Sequence, residues 1–362
     1  MKITKINPVM VEIPLAKPLA TAIHHIKSVC AVTLSMETDA GLVGEAYMFT
    51  LGPSKLKVIS AMLLSLGEVI EGEDPCLTER IWDKLWRNIN FFGHKGISIF
   101  ALSVLDMACW DLKGKSLEAP VYKLLGGHRQ QVPVYASGGL WLSQDIDELQ
   151  EEAADFVRQG FRAMKMRIGS HTIEQDYARV RALRQAIDPE IVLMVDANQG
   201  LSVDHAIRLG RRLEEFDLFW FEEPVPVYDQ EGCARVKAAL PGLKIASGET
   251  EYTLYGFKDL LEYKAVDVLM PDLARVGGVT EFVKVAHLAQ AHQVPISPHI
   301  FSEQSLQVMG ALPNTIYLEH IPWFSCLFQE TITIRDGLAE VPSRPGMGFT
   351  FDHQALAKYR LD

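Results

Sequence analysis

Apolar and polar residues change rhythm near residue 128, and the change divides the chain. Residues 3–47 alternate with the two-residue period of strands. Ala31-Val32-Thr33-Leu34-Ser35-Met36-Glu37 runs into the turn Thr38-Asp39-Ala40-Gly41, and Leu42-Val43 opens another short strand, which predicts an antiparallel meander. Residues 56–70 and 97–114 repeat their apolar positions at helical spacing instead and complete an α+β module over residues 1–128. From Gly126-Gly127-His128-Arg129 onward, short apolar runs alternate with helical stretches, the pattern of a parallel (β/α) barrel over residues 129–325. One stretch lines up Ile173, Tyr177, Val180, Leu183 and Ile187 on a single face and stops at Asp188-Pro189, as a crossover helix would. Residues 326–362, rich in Pro and Gly around Val341-Pro342-Ser343-Arg344-Pro345-Gly346, break the pattern and are expected to fold back onto the first module.

Ionisable residues stand at the tails of the apolar runs. Lys165 follows Ala163-Met164, Asp196 follows Ile191-Val192-Leu193-Met194-Val195, and Glu222 follows Phe219-Trp220-Phe221. Asp272 ends Val268-Leu269-Met270-Pro271, His299 ends Val294-Pro295-Ile296-Ser297-Pro298, and Glu249 and Glu319 complete the series. Successive members lie roughly 20 to 30 residues apart, the length of one βα unit, and a barrel opens the C-terminal ends of all its strands on one face. Sequence spacing thus becomes a ring of chemistry around one pocket.

Asp196, Glu222 and Glu249 offer only oxygen, the donor preferred by a hard cation such as Mg²⁺, whereas zinc recruits histidine or cysteine. A single carboxylate in such a place is usually a solvated loop residue; three at matched strand ends are expected to form a metal site. Lys165 and Arg167 lie two apart and share a strand face, with Met166 turned away. Arg167 keeps its charge, so it is expected to lower the Lys165 pKa and free a neutral amine as base. Asp272 and His299 end neighbouring strands, where a carboxylate–imidazole hydrogen bond would fix the tautomer and raise the histidine pKa.

The 362 residues carry a formal charge of -11, with no basic run, which argues against nucleic-acid binding. Any anionic substrate must then be met by local cations. Cys30, Cys76, Cys109, Cys233 and Cys326 are scattered without a Cys-x-x-Cys pair and read as reduced cytoplasmic thiols. Residues 1–6 alternate like a strand and lack the apolar core of a signal peptide, and no apolar stretch is long enough to span a membrane. Gly114-Lys115-Ser116 ends like a P-loop, but a helix precedes it and Cys109 stands where the first glycine belongs, so nucleotide binding is not expected. Gly277-Gly278 reads as a tight turn or a phosphate approach, and Asp106 and Trp110 as structural contacts between domains.

The ordered motifs Lys165-Met166-Arg167, Asp196-Ala197-Asn198, Glu222-Glu223-Pro224, Gly248-Glu249, Met270-Pro271-Asp272, Ser297-Pro298-His299-Ile300-Phe301 and Leu318-Glu319 resemble the mandelate racemase subgroup of the enolase superfamily over nearly the whole chain. The resemblance implies a modified TIM barrel, (β/α)7β, under an N-terminal α+β capping domain. It implies Mg²⁺ on Asp196, Glu222 and Glu249, with Lys165 and the Asp272–His299 dyad as acid/base groups. Glu319, protonated, would donate to the substrate carboxylate, Ser137 would contact that carboxylate, and Asn198 would meet the α-hydroxyl. Where the family commonly has Lys-x-Lys this chain has Lys-x-Arg, which leaves residue 167 a charge without a base.

Two outcomes share these residues. Loss of a 3-hydroxyl from the enediolate makes an acid sugar dehydratase, the reading that leads; return of the proton on the other face makes a racemase or epimerase. Specificity is expected from capping-domain loops at residues 15–28 and 48–54, and from Trp141 and Ile321 beyond strand ends. Leu19, Ile23, Ile26 and Leu51 suit an apolar substituent, whereas His24, His25 and Lys27 suit a polyhydroxy chain or second carboxylate. The expected partner is a small carboxylate. Relatives commonly form dimers or octamers, so the resemblance also implies a homo-oligomer.

Overall fold

The computed structural model describes residues 1–170 and 172–361. Strands β1 (Ile3–Ala20), β2 (His25–Thr38) and β3 (Val43–Leu51) form an antiparallel sheet in sequence order. Residues 15–28, expected as a loop, are mostly the two arms of one hairpin. The ladder slips after Pro14 paired with Ser28, then resumes at Leu19 with Ile26 and Ala20 with His25. Proline lacks the amide that a ladder needs, which accounts for an irregularity beside Pro14 and Pro18. Only residues 21–24 turn, and they carry Ile23 and His24 over the barrel.

Helices α1 (Leu56–Ile70) and α3 (Ile97–Ser116) cover this sheet, and α2 (Thr78–Asn88) packs against both helices. In α3, apolar residues on every face, among them Ile99, Leu102, Leu105 and Met107, are fully buried because the helix lies between the sheet and the barrel. Its Asp106 carboxylate accepts hydrogen bonds from the Thr280 amide and hydroxyl of the barrel, and Trp110 Nε1 donates to the same hydroxyl at 2.8 Å. Asp106 and Trp110 thus join the domains, as their sequence positions suggested. Gly277 and Gly278 belong to the same junction: both have positive φ, Trp82 Nε1 donates to the Gly277 carbonyl at 2.9 Å, and a Cβ on Gly278 would collide with Asp106.

Burial pushes the Asp106 carboxyl up from 3.8 to about 7, against the pull of its bonds from Thr280. The folded chain therefore holds this proton more tightly than the unfolded one. Stability contributed by the protonated carboxyl is full below 3.8 and falls as pH rises toward about 7. Asp106→Asn is expected to flatten that segment of the stability profile, as measured by urea unfolding at about pH 4.5 and about pH 8. Equal pH slopes in variant and wild type would refute the assignment.

The barrel strands β4 (Gln131–Ala136), β5 (Ala163–Arg167), β6 (Val192–Asp196), β7 (Phe221–Glu222), β8 (Ile245–Ser247) and β9 (Val268–Leu269) run parallel and pair in order. The register sets Arg167 beside Asp196 and then Asp196 beside Glu222, so consecutive strand ends meet at one level. The seventh position is a short bridged stretch in which Ile296 pairs with Leu269 and Thr315. β10 (Leu318–His320) then pairs with β4 and closes the ring. Helix Ile173–Ala186 supplies the expected crossover, burying Ile173, Val180 and Leu183, with a capping box at Thr172 and Gln175.

The tail divides its allegiance. β11 (Ile334–Arg335) and β12 (Leu338–Glu340) form a hairpin on the barrel: β12 pairs with Gln131–Pro133, whereas β10 pairs farther along β4, with Val134–Ala136. The open half of β4 is what this hairpin completes. On either side of this hairpin the tail also reaches the first module: Phe328 packs 5.7 Å from the Tyr47 ring, the Met347 amide donates to Asp111, and helix His353–Tyr359 precedes a bridge from Arg360 to Val11 and a 2.8 Å bond from the Leu361 amide to the Met10 carbonyl. The single return expected for residues 326–362 is corrected accordingly. No helix among the described residues is long and apolar enough to cross a membrane.

Candidate active site

A cavity of about 460 Å³ opens between the strand ends and the capping sheet. Its barrel wall includes Lys165, Arg167, Asp196, Glu249, His299 and Glu319. Asp196, Glu222 and Glu249 bring one carboxylate oxygen each within 4.8 Å of one another. Opposite ligands of octahedral Mg²⁺ lie about 4.2 Å apart, so small side-chain rotations would close this set around the ion. An all-oxygen donor set suits Mg²⁺ and disfavours zinc. Side chains already orient two of these carboxylates: Trp220 Nε1 donates to Glu222 at 2.9 Å, and the Asn198 amide and side chain both donate to Asp196. Asn198 has φ of 40°, and its Oδ1 is buried without a partner among the described residues, an acceptor available to a ligand beside Asp196.

Lys165 is buried among three carboxylates, at 2.5 Å from Glu222, 2.9 Å from Glu319 and 3.4 Å from Asp196. Burial disfavours its ammonium, but the three negative charges outweigh burial and the repulsion of Arg167, and the pKa is raised. The expected lowering by Arg167 is thus reversed. The ammonium stands in for part of the positive charge that a divalent ion would bring. Glu222, buried and crowded by Asp196, Glu319 and Glu249, has its carboxyl pushed up despite Lys165. The surplus of negative charge contributes to both shifts, whereas burial is the largest cause of the rise at Glu222 and opposes the rise at Lys165.

Arg167 reaches the same wall, donating from Nη1 to the Ser137 carbonyl at 2.8 Å, with its Nε 3.7 Å from Asp196. Its guanidinium lies 4.3 Å from the centre of the Trp141 ring, which stacks on Trp323 at 5.9 Å. Met166 is buried on the opposite face, as the period-two reading requires.

The Asp272–His299 pair forms, with Nδ1 2.7 Å from Asp272 Oδ2. Asp272 accepts from every other partner, so it acts as an acceptor here too; Nδ1 carries the hydrogen and Nε2 faces the cavity, 3.5 Å from Glu249. Burial works against the imidazolium, yet Glu249, Asp272 and Glu319 prevail and raise the His299 pKa. Glu319 contradicts the idea of a protonated donor in this state. Its Oε1 accepts from Lys165 and from Ser137 Oγ at 2.6 Å, and its Oε2 from the Ile300 amide at 2.8 Å; burial would raise its pKa, but Lys165, His299 and Arg167, with the bond from Ser137, prevail and lower it.

Ser137 is fully buried behind Glu319 with its hydroxyl committed there, and Ile321 packs into the hydrophobic core; neither lines the cavity. Trp141, Ile23, Ile26, Leu51 and His24 do line it. Leu19, His25 and Lys27 do not, and along β2 this is because alternate residues of the hairpin point away. The His24 pKa is lowered, by burial first, with Glu249 opposing and Arg275 assisting. Several lining residues escaped sequence reasoning. Phe49 reaches in from β3 to 6.3 Å from the His299 ring, and Arg275 extends from the turn after Asp272. The period-two alternation of β3 could have flagged Phe49; nothing local marks Arg275.

Comparison with known proteins matches this arrangement. Residues 148–355 match the enolase C-terminal domain-like family, and residues 3–126 the N-terminal domain of the mandelate racemase / muconate lactonizing enzyme family. The chain belongs to the mandelate racemase / muconate lactonizing enzyme family. The family's 3,6-anhydro-α-L-galactonate cycloisomerase from Streptomyces coelicolor is 34% identical over 98% of this chain and 99% of its own length. Arabinonate dehydratase from Saccharolobus solfataricus is 32% identical over 91% of this chain and 90% of its own. Among solved members, L-talarate/galactarate dehydratase from Salmonella typhimurium, liganded with Mg and L-lyxarohydroxamate, has a TM-score of 0.94 at 32% identity and covers 100% of this chain and 93% of that one.

Proposed function

We propose that this enzyme removes the α-proton of a 2-hydroxy carboxylate and expels the 3-hydroxyl as water, converting an acid sugar to a 2-keto-3-deoxy acid. One observation carries the reading: Lys165 from the second barrel strand and His299 from the seventh position face one cavity from different sides, beside a carboxylate triad fit for Mg²⁺. The dehydratases among the relatives support the choice of reaction.

Bound Mg²⁺ would supply electrophilic charge to the substrate carboxylate and its enediolate. Neutralising the charge of Asp196 and Glu222 would remove two of the three carboxylate charges that now hold the proton on Lys165 and lower its proton affinity, toward a neutral amine that takes the α-proton. Arg167 keeps its charge and adds to the positive field. Electrons released from the C–H bond flow into the enediolate and then displace the oxygen on C3. That oxygen takes the proton of His299 Nε2 and leaves as water, while Asp272 stabilises the imidazolium beforehand and keeps Nδ1 protonated afterward. The enol tautomerises to the 2-keto acid.

The same two groups would perform racemisation on a substrate without a leaving group at C3. Incubation of the protein with Mg²⁺ in D₂O and a panel of acid sugars and aryl or alkyl 2-hydroxy acids, followed by NMR and a keto-acid assay, separates the two. Keto acid is expected. Deuterium at C2 with inversion and no keto acid would instead establish a racemase, and neither product with any acid would defeat the reading. We further infer a cytoplasmic homo-oligomer, in keeping with five free cysteines and the family resemblance; light scattering on the purified protein tests the assembly.

A further inference from the structure

We propose that Arg275 is a positioning residue that fixes Asp272 against His299 and ties this dyad to the strand end carrying Glu249. Asp272 has one oxygen fully occupied: Oδ1 accepts from the amides of Ala274 at 2.8 Å and Arg275 at 3.0 Å, at the start of the short helical turn Leu273–Val276. Only Oδ2 remains for the imidazole, and it is shared. His299 Nδ1 lies 2.7 Å from it and Arg275 Nη1 3.2 Å. The same Nη1 donates to the Glu249 main-chain carbonyl at 2.9 Å. One guanidinium nitrogen therefore spans the fifth and sixth strand ends, joining a residue of the carboxylate triad to the carboxylate that orients the histidine.

The chemistry of the arrangement gives Arg275 a defined task. A carboxylate held by two amides at one oxygen still pivots about that oxygen; a second anchor on Oδ2 removes the freedom. With Oδ2 fixed, the imidazole has one acceptor at one angle, and its Nδ1–H tautomer is selected with Nε2 left toward the cavity. Arginine suits this because its planar fork serves two acceptors at once and never loses its proton. Tyr252 lies close enough to Arg275 for the two to interact electrostatically and packs its ring 5.8 Å from Phe100 of α3, so the capping domain buttresses the group. Lys165 lies across the cavity with its own carboxylate partners and shares no hydrogen bond with Arg275. Loss of Arg275 should therefore weaken the step that uses His299 more than the step that uses Lys165.

The kinetic part rests on the proposed dehydration; the structural part does not. The test uses full-length, Mg²⁺-loaded protein and the variants Arg275→Met and Arg275→Lys. Nitrogen-15 NMR of histidine-labelled protein, at a pH high enough to leave His299 neutral and with its signal assigned through His299→Asn, reads the tautomer without any substrate. Wild type and Arg275→Lys are expected to show the Nδ1–H form, and Arg275→Met a mixture. An Arg275→Met spectrum identical to wild type would overturn the proposal.

Galactarate, arabinonate and mandelate in D₂O serve as kinetic probes. For Arg275→Met, keto-acid formation is expected to fall about 100-fold, the range of one general acid, with C2 deuteration falling less than about tenfold. The ratio of exchange to product then rises at least about tenfold, and Arg275→Lys recovers most of the loss. A parallel fall in exchange and product would make Arg275 a merely structural residue. If wild type neither exchanges nor converts any probe, the proposed function falls on these substrates and the NMR result alone decides the role of Arg275.

Discussion

Lys165→Met protein is expected to lose keto-acid formation by about 10²–10⁴-fold and to lose deuterium incorporation at C2 to the same extent. The parallel loss is the informative part. Lys165 would act on the first bond broken, so nothing downstream proceeds without it, whereas a variant at His299 should retain exchange while losing product. The same substitution should disturb the metal-free protein. Lys165 is the cation shared by Glu222, Glu319 and Asp196, all buried. Removing one partner from a buried ionic cluster leaves uncompensated charge and costs about 3–5 kcal/mol. Mg²⁺ should restore most of that stability, so the Mg²⁺-induced rise in thermal midpoint should be larger in Lys165→Met than in wild type. C2 exchange at the wild-type rate in Lys165→Met would eliminate Lys165 as the base.

Chelation of Mg²⁺ is expected to abolish activity altogether, with full recovery on adding the ion back. Asp196, Glu222, Glu223, Glu249, Asp272 and Glu319 all stand in or beside the cavity, against the fixed cations Lys165, Arg167 and Arg275. Without a divalent ion this field repels a carboxylate substrate and holds the proton on Lys165. The same surplus gives metal binding a pH dependence of definite sign. Glu222 and Glu223 have their carboxyls raised well above the ordinary range, by burial first and then by neighbouring carboxylates. A raised carboxyl binds protons more readily, so Mg²⁺ must displace them. Affinity should weaken as pH falls, and binding should release protons. Calorimetry in buffers of different ionisation heat measures this release; a buffer-independent heat together with pH-independent affinity would contradict it.

The chain's rhythm of short apolar runs ending in charged residues was sufficient to place Asp196, Glu222, Glu249, Asp272 and His299 around one opening. The reason is geometric. Parallel barrel strands deliver their C-terminal residues to one face whatever the loops do, and period-two alternation along β5 turns Lys165 and Arg167 inward together. Helix 56–70 was equally legible, because burial of one face writes its period into the order of side chains, whereas helix 97–116, buried on every face, is marked by the length of its apolar run.

Folding decided matters in which distance between remote residues, and not order along the chain, sets the outcome. Lys165 sits among three carboxylates from three other strands, so its proton affinity rises although its sequence neighbour Arg167 pulls the other way. Ser137 spends its hydroxyl on Glu319, which arrives 182 residues later, and so cannot be read as a ligand contact from its own surroundings. Alternation along β3 can turn Phe49 toward the barrel but does not name His299 as its neighbour, and Arg275 joins the Glu249 backbone to Asp272 through contacts that no local pattern encodes. Periodicity along one strand determines which way a side chain faces. Electrostatics and hydrogen bonding fall off over a few ångströms, so what that side chain then does depends on which distant segments the closed barrel and its capping sheet bring within reach.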